Sequence, residues 1–371
     1  MFEEILDIIW DEHFWLPVEF SWDDFKKTDI VRPQLSDLYI IPLITIFFLI
    51  IRFAFERFIA VPICKVLRII KVKSDASKLC EEIFIKTTQY PSDILMSEIS
   101  VQTGWSIQKC SRWFNKRRKQ STKASLVKKS KESCWRCFVY ICFFAYGSYI
   151  LIPTGWIWDI KLCFVGFIKH QELPLEFKWY YILETSFYTS LLCSQFTDTK
   201  RKDFVQLFVH HILTITLLSG SYIIGHFRIG SIIIWLHDAA DYWLEAAKVA
   251  NYAKHQRVCD TLFVVFALTF LLTRWIYFPV WVLYTWMRYN TELAGHLRSF
   301  FTAPYILLGA CFVLFGLHLF WGYLIGKMVY KFRAAGKVEK DDRSDDEQSN
   351  LESDDGDKNL VMINNSINKI D

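Results

Sequence analysis

Long apolar segments constrain the fold of this chain more than any other feature, because each is long enough to cross a bilayer as a helix. Of its 371 residues, 53% are hydrophobic and 17% are aromatic. The third and fifth segments are more polar than the others. We predict an all-α integral membrane protein whose transmembrane helices, about seven in number, form a bundle around an internal lipid cavity. The segments run at about Leu38–Phe58, Arg136–Pro153, Lys178–Phe196, Phe204–Ile224, Ile229–Ala250, Val258–Trp286 and Pro304–Tyr330.

The basic residues predict the orientation of the helices, since cytosolic connections carry an excess of Lys and Arg. Basic clusters follow the first, third, fifth and last segments, and all lie on one side of the membrane if the N-terminus is lumenal. The C-terminus is then cytosolic. These clusters include Lys71, Lys73, Arg117, Arg118, Lys128, Lys129, Lys200, Arg201, Lys202, Lys254, Arg257, Lys327, Lys331 and Arg333.

Composition divides the chain into five regions. We predict a lumenal N-terminal segment (1–37), a first transmembrane helix (38–60), a small helical cytosolic insert with a basic linker (71–133), a main membrane domain (134–332) and a disordered acidic cytosolic tail (337–371). Ser344, Ser349 and Ser353 precede acidic residues in this tail and are candidate phosphorylation sites.

The end of the insert resembles the third helix of a homeodomain. Trp113 and Phe114 would be its core anchors, and Arg117 and Arg118 the cations that face a nucleic-acid backbone. Lys116 stands where that family has its base-reading Asn. A membrane-tethered module also has poor access to chromatin, so we expect a small packing or regulatory module and no nucleic-acid partner.

Ionisable residues inside two apolar segments carry the chemistry. An acid at the centre of a lipid-facing helix costs roughly 2.5–3.5 kcal/mol, so these groups must face a protein interior or a wet cavity. Asp203 and His210 share one helix face, whereas His211 points about 100° away. On the next helix His237, Asp241, Glu245 and Lys248 form one stripe, and Asp238 flanks it. At 1.5 Å per residue, His210 and Asp241 lie at similar depths, toward the cytosolic side.

Three interpretations of this cluster compete. It is a polar network that locks helices together, a metal site, or a metal-free site for acyl transfer or proton abstraction. His, Asp and Glu suit zinc or iron, but the repeated histidine boxes of membrane iron hydroxylases are absent from the sequence. We favour the metal-free site, because imidazole beside carboxylate serves general base or nucleophilic catalysis.

The ordered motifs resemble those of ceramide synthases, the sphingoid-base N-acyltransferases of the TLC-domain family. The resemblance covers nearly the whole chain and extends to the Phe14–Pro17 motif, the insert and the tail. It implies an endoplasmic-reticulum enzyme that joins a fatty acyl-CoA to a sphingoid base to form ceramide or dihydroceramide. The motifs are Thr197-Asp-Thr-Lys-Arg-Lys-Asp203, His210-His211, Ser221-Tyr222, Arg228-x-Gly230, His237-Asp238-x-x-Asp241 and Leu244-Glu245-x-x-Lys248.

Residue chemistry suggests a role for each group at such a site. We predict His210, His211, Asp238 and Asp241 as catalytic residues, with His210 as nucleophile or general base and its tautomer fixed by Asp203 directly or through water. Cations at the cytosolic mouth would bind the phosphates of the acyl donor. Those cations are Lys200, Arg201, Lys202 and Arg257, and the supporting residues are Asp203, His237, Glu245, Lys248, Tyr222 and Arg228.

We expect acyl-CoA as a substrate and no cofactor or metal. The expected partners are the sphingoid base and membrane lipid, and a second synthase chain is a candidate partner in a homo- or heterodimer. A non-catalytic TLC-type lipid sensor or carrier is the alternative function. A G-protein-coupled receptor also has about seven spans, but its Asp-Arg-Tyr and Asn-Pro-x-x-Tyr signatures are absent from the sequence.

Overall fold

A computed structural model describes residues 11–16, 21, 23, 31–67, 69, 78–165, 172–289 and 302–335. This part of the chain consists of helices and connecting turns, without a β-strand. Most of the predicted lumenal segment, the acidic tail and its candidate phosphorylation sites lie outside the described residues. We number the principal helices α1 Leu35–Val66, α2 Lys78–Lys86, α3 Asp93–Thr103, α4 Ile107–Leu151, α5 Leu175–Ser194, α6 Phe204–Ile223, α7 Phe227–Tyr252, α8 Gln256–Tyr289 and α9 Ala303–Ala335.

Five of the described helices are long and apolar enough to cross a membrane, so the chain is a multi-pass membrane protein. α5 and α7 have 20 and 26 residues, enough to span about 30 Å of hydrocarbon, but their polar residues exclude them from this set. The predicted count of about seven spans therefore stays a prediction. The five helices are Leu35–Val66, Ala124–Thr154, Phe204–Ile223, Gln256–Tyr289 and Ala303–Ala334.

α7 is the central helix of the bundle and packs most extensively against α4 and α8. α6 packs between α5 and α9, and α1 lies against α5. Gly230 on α7 allows close approach, since a Cβ atom there would overlap the hydroxyl group of Tyr181 on α5. The polar stripe of α7 thus faces other helices, as its cost in lipid predicts.

α8 changes its winding midway. Its residues Leu271–Leu283 form a π-helix, which includes Pro279. Proline lacks the N–H group that an α-helical ladder requires, and π segments occur frequently at functional sites. The wide turns place Arg274, Phe278 and Val282 inside the bundle, where all three are buried.

The insert consists of α2, α3 and the beginning of α4. Ser92 caps α3, Gly104 ends it with a positive φ of 66°, and Ser106 caps α4. The predicted anchors Trp113 and Phe114 are buried, which confirms their place in a core that also contains Cys80, Phe84, Ile99 and Cys110. The homeodomain likeness of the whole insert stays a prediction.

The two arginines that would face a nucleic-acid backbone contact the insert itself. Arg117 donates to both carboxylate oxygens of Glu81 at 2.6–3.0 Å and lies over the Phe84 ring. Arg118 donates to the carbonyl oxygen of Gln89 at 2.8 Å and lies over the Tyr90 ring. Local acceptors and aromatic faces therefore hold both guanidinium groups in this structure, which agrees with a packing module, and the homeodomain-type role of the two arginines stays a prediction.

α4 continues without interruption from the insert into the bundle. The predicted boundary between residues 133 and 134 lies inside this helix. We call the end of the bundle next to the insert the insert end, and the opposite end the far end. α6 begins and α7 ends at the insert end, since Lys128 of α4 contacts the α5–α6 connection there.

Candidate active site

Two cavities lie side by side within the bundle, and His210 of α6 lines both. The polar cavity opens toward the insert end, and the apolar cavity extends toward the far end. Asp241 of α7 also lines the polar cavity, at the depth that the helix spacings predict. The polar cavity is lined by Arg136, Gln195, Asp198, Arg201, Asp203, His210, His211, Asp241, Glu245, Lys248, Arg274 and several apolar residues. The apolar cavity is lined by Tyr188, His210, Thr214, Leu217, Leu218, Ser221, Gly230, Ile233, Ile234, His237, Trp286, Cys311 and Leu314.

The ring of His210 lies between aromatic side chains at the junction of the cavities. The ring of Trp321 packs edge-on at a centroid distance of 5.3 Å, and the ring of Tyr188 at 6.2 Å. The Nδ1 atom of His210 is buried and has no hydrogen-bond partner among the described residues. The ring is therefore oriented by packing at the point where the polar and the apolar cavity meet.

Asp203 shares a helix face with His210, but the two side chains are not joined by a direct hydrogen bond in the described structure. Its carboxylate accepts hydrogen bonds from Arg201 at 2.8 and 3.0 Å, and from the indole N–H of Trp321 at 3.2 Å. The same Trp321 ring packs against His210. Asp203 thus contributes to the position of His210 through Trp321, a residue that we did not select from the sequence.

His211 points away from His210, as the helix geometry predicts, and has a defined partner. Its Nδ1 atom lies 3.0 Å from Oε1 of Gln195, whose amide nitrogen donates to the Phe204 carbonyl oxygen at 2.8 Å. Because that contact orients the amide, Oε1 accepts and Nδ1 of His211 carries the hydrogen. Nε2 is then left as the unprotonated nitrogen of neutral His211.

Asp238 and Asp241 have different surroundings despite their proximity in sequence. Asp241 lines the polar cavity and accepts a hydrogen bond from Arg274 at 2.7 Å. Asp238 is fully buried, as is Glu184 on α5, and the carboxylate oxygens of both residues lack a hydrogen-bond partner among the described residues. Among the residues described, Asp238 does not line either cavity. Asp241 therefore lies at a cavity surface and Asp238 does not, and the catalytic roles of both residues stay predictions.

His237 is held by hydrogen bonds at both ring nitrogens. Nδ1 lies 2.5 Å from the carbonyl oxygen of Ile233, which can only accept, and Nε2 lies 2.9 Å from Nε2 of His318 on α9. Neutral His237 therefore accepts a hydrogen bond from His318. Sequence reasoning missed His318, although an ionisable residue in the apolar α9 segment carries the same signal as the selected histidines.

Cations surround the insert end of the polar cavity. Arg201, Arg136 and Lys248 line it, and Lys248 donates to Glu245 at 2.7 Å. Lys200, Lys202 and Arg257 are exposed at this end and do not line the cavity in the described structure. Arg201 alone of the four predicted phosphate-binding cations therefore reaches the cavity wall.

Tyr222 and Arg228 lie at the far end. The Tyr222 hydroxyl group donates to Asp37 at 2.8 Å, and Arg228 donates to the carbonyl oxygens of Leu162 and Val165 at 3.3 and 3.2 Å. Tyr222 is twelve positions after His210 on α6, which corresponds to about 18 Å along the helix axis. Both residues anchor connections at that end and do not contact the His210 junction.

Comparison with known proteins places this arrangement in a family. The TLC domain profile matches residues 129–327, which include both cavities. Human ceramide synthase 5 is 42% identical over 353 residues, covering 93% of this chain and 88% of that protein. This chain belongs to the ceramide synthase family. Bovine ceramide synthase 4 is 38% identical over 360 residues, with 96% and 90% coverage, and human ceramide synthase 3 is 36% identical over 351 residues, with 94% and 90% coverage.

The match to the relatives extends beyond the family profile. The family profile begins at residue 129, within α4, so α1 to α3 and the first half of α4 lie before it. The relatives nevertheless align over more than nine tenths of this chain. The insert is therefore part of what this ceramide synthase family member shares with its relatives.

Proposed function

We propose that this protein transfers a fatty acyl group from acyl-CoA to the amino group of a sphingoid base and forms an amide. The observation that carries the proposal is the position of His210, which lines a polar cavity and an apolar cavity at once. An acyl-CoA has matching parts: a charged head, a reactive thioester and an apolar chain. Its thioester would lie at the junction, beside the imidazole.

The head group would enter at the insert end, which the proposal assigns to the cytosol, with the N-terminus in the lumen of the endoplasmic reticulum. Arg136, Arg201 and Lys248 at that end supply charge-assisted donors for its phosphates. The apolar cavity, walled by residues such as Leu217, Ile234 and Leu314, would receive the chain. The arrangement calls for no cofactor, since the thioester is already activated.

His210 would act as nucleophile and form an acyl-imidazole that the amine then cleaves. Asp241 would hold the arriving ammonium group on the polar side of the junction, and an imidazole would receive its proton. Direct attack by the amine, with His210 as general base, is the other route that this geometry permits. A non-catalytic lipid sensor would bind the same ligands without forming amide.

The test uses the full chain purified in detergent, with a panel of acyl-CoAs and sphinganine, and detects amide by mass spectrometry. With acyl-CoA alone, we expect release of free CoA and an acyl adduct that peptide mapping places on His210. His210→Ala should abolish the adduct and the turnover, whereas His255→Ala, at an exposed histidine of the α7–α8 turn, should retain both.

Three other outcomes would support a different mechanism or a different function. Turnover without an adduct or amine-independent CoA release would establish the direct route. An adduct on His211 would exchange the roles of the two histidines. Ligand binding without any amide from wild-type protein would support the lipid sensor and reject the proposed activity.

A further inference from the structure

Arg274 is a buried cation in the wall of the polar cavity, on the π-helical part of α8. One terminal nitrogen of its guanidinium group donates to the carbonyl oxygen of His237 at 2.8 Å and to Oδ1 of Asp241 at 2.7 Å. These contacts, together with the Phe270 ring 5.0 Å away, fix the plane of the group. Only 6% of the residue is exposed.

The Nε–H group of Arg274 has no partner. It is buried and lacks a hydrogen-bond acceptor among the described residues. An unsatisfied donor on a charged group costs more than one on a neutral group, so such an atom beside a cavity requires an explanation. The simplest explanation is an acceptor that a ligand supplies.

Arg274 is also close to His210. Both residues line the polar cavity. Arg201 and Lys248 are nearer the insert end and more exposed, with 22% and 14% of their side chains accessible, compared with 8% for Arg274. Phosphate groups therefore meet Arg201 and Lys248 first, and Arg274 is left for a group that lies deeper.

We propose that the Nε–H group of Arg274 binds the acyl carbonyl oxygen and stabilises the negative charge that this oxygen acquires during transfer. The assignment rests on the proposed function and adds a catalytic residue to it. A preorganised cationic donor in a site of low polarity stabilises such an oxyanion more than it stabilises the neutral carbonyl group.

In the first step the unprotonated nitrogen of His210 attacks the thioester carbonyl carbon and forms a C–N bond. The carbonyl π electrons move to oxygen, where Arg274 holds the charge. When they return, the C–S bond breaks and CoA leaves as a thiolate. The proton of the His210 ring passes to this thiolate and gives the free thiol and a neutral acyl-imidazole.

In the second step the neutral amine attacks the same carbon, and the charge again forms on the oxygen at Arg274. The bond from carbon to His210 then breaks, and the ring nitrogen takes one amine proton. The products are the amide, free CoA and the original imidazole. A base that arrives as an ammonium ion releases one further proton to solvent. Direct attack by the amine would form the oxyanion at the same position.

The experiment measures the rate of CoA release from acyl-CoA alone, and kcat and KM for amide formation, with full-length protein in detergent. Arg274→Gln alone leaves the Asp241 carboxylate buried without its cation, which endangers folding. Asp241→Asn alone likewise leaves the Arg274 guanidinium without its carboxylate. The decisive protein is therefore the double variant Arg274→Gln/Asp241→Asn, in which no unpaired charge remains. Its reference is Asp241→Asn if that variant folds, and otherwise wild type, since the proposal assigns Asp241 to the amine step and not to CoA release. Arg117→Gln in the insert is the matched control for an arginine substitution.

We expect the double variant to release CoA about 100-fold to 1000-fold more slowly than its reference, with thermal unfolding used to show that both proteins are folded at the assay temperature. Arg274→Lys, which retains a cation, should recover part of the rate, and Arg117→Gln should match wild type. Equal rates for the double variant and its reference would overturn the assignment and leave Arg274 as a structural tie. A higher KM for acyl-CoA at unchanged kcat in Arg274→Gln would also overturn it, because that pattern indicates a phosphate contact.

Measurements on wild-type protein distinguish a failure of the Arg274 assignment from a failure of the proposed function. If wild type forms amide without an adduct, the covalent route fails, and Arg274 is judged by kcat alone. If wild type forms no amide, both the proposed activity and the assignment of Arg274 are rejected.

Discussion

An arginine–carboxylate pair occurs in the insert, between Arg117 and Glu81, and another in the bundle, between Arg274 and Asp241. The insert pair lies over an apolar core, with 23% and 37% of the two side chains exposed. The bundle pair is 8% and 20% exposed and borders a cavity. Similar ionic contacts thus have different surroundings: the first ties helices of a small module together, and the second lines a cavity that His210 also lines.

The comparison extends to the interiors of the two regions. The insert buries Phe84, Trp113 and Phe114 and keeps its charges at the edge. The bundle buries histidines, carboxylates and a guanidinium, because its outer surface must be apolar. We therefore expect substitutions in the insert to change local stability and substitutions in the bundle to change turnover. The predictions below test this difference between the two regions.

The largest effect should come from Trp113→Ala. Truncation of a buried tryptophan costs about 3–5 kcal/mol, so the insert should open locally. Hydrogen exchange of backbone amides in residues 80–116 would measure this loss, and amide formation in detergent should persist. Complete loss of turnover in protein whose bundle amides remain protected would show that the insert contributes to the active site.

His318→Leu should reduce turnover by about 10-fold to 100-fold, because it leaves the buried Nε2 atom of His237 without its donor, at a cost of about 1–3 kcal/mol. His318→Gln retains a donor near the same position and should recover most of the activity. Steady-state kinetics of the two variants would test this positioning role. Equal losses in both would indicate that volume matters and the hydrogen bond does not.

Arg117→Ala should destabilise the insert by only about 1 kcal/mol and leave turnover unchanged, since the pair is partly exposed. The hydrogen bond from Arg117 lowers the pKa of Glu81. The contribution of the pair is therefore complete above the ordinary Glu pKa and is lost as pH falls through the lowered value. Hydrogen exchange at several pH values should show the difference between variant and wild type decreasing in acid.

Lys86→Ala should have the smallest effect. Lys86 and Glu82 form a pair one helical turn apart, with 71% and 58% of their side chains exposed. Solvent screens such a pair strongly, and we expect neither insert stability nor turnover to change measurably. A clear loss of stability would show that surface pairs in the insert matter more than burial indicates.

Sequence reasoning predicted the helical bundle and the paired histidines because both follow from helix periodicity and the cost of charge in lipid. The same cost applies to Glu184, Arg274 and His318, each of which lies in a mostly apolar segment. We did not select them, because none of them has a charged residue or a histidine three or four residues away. Their partners on other helices become visible only when the bundle is assembled.

The cations that line the polar cavity were harder to predict, and only Arg201 of the four predicted ones lines it. Lys200, Lys202 and Arg257 are charged residues at helix ends, and sequence spacing does not determine where such long side chains reach. Arg136 and Lys248 line the cavity because α4 and α7 pack closely. The helix faces were thus predictable, whereas the composition of the cavity wall depends on contacts between distant segments.

The continuity of α4 has a mechanical consequence. This helix has 45 residues and is therefore about 68 Å long, and its two ends belong to the insert and the bundle. Each residue of an α-helix advances the axis by about 1.5 Å and turns it by about 100°. One residue added between the two ends would swing the insert through more than a quarter of a circle around the axis. The number of residues in α4 thus determines how the insert is rotated about the α4 axis relative to the bundle.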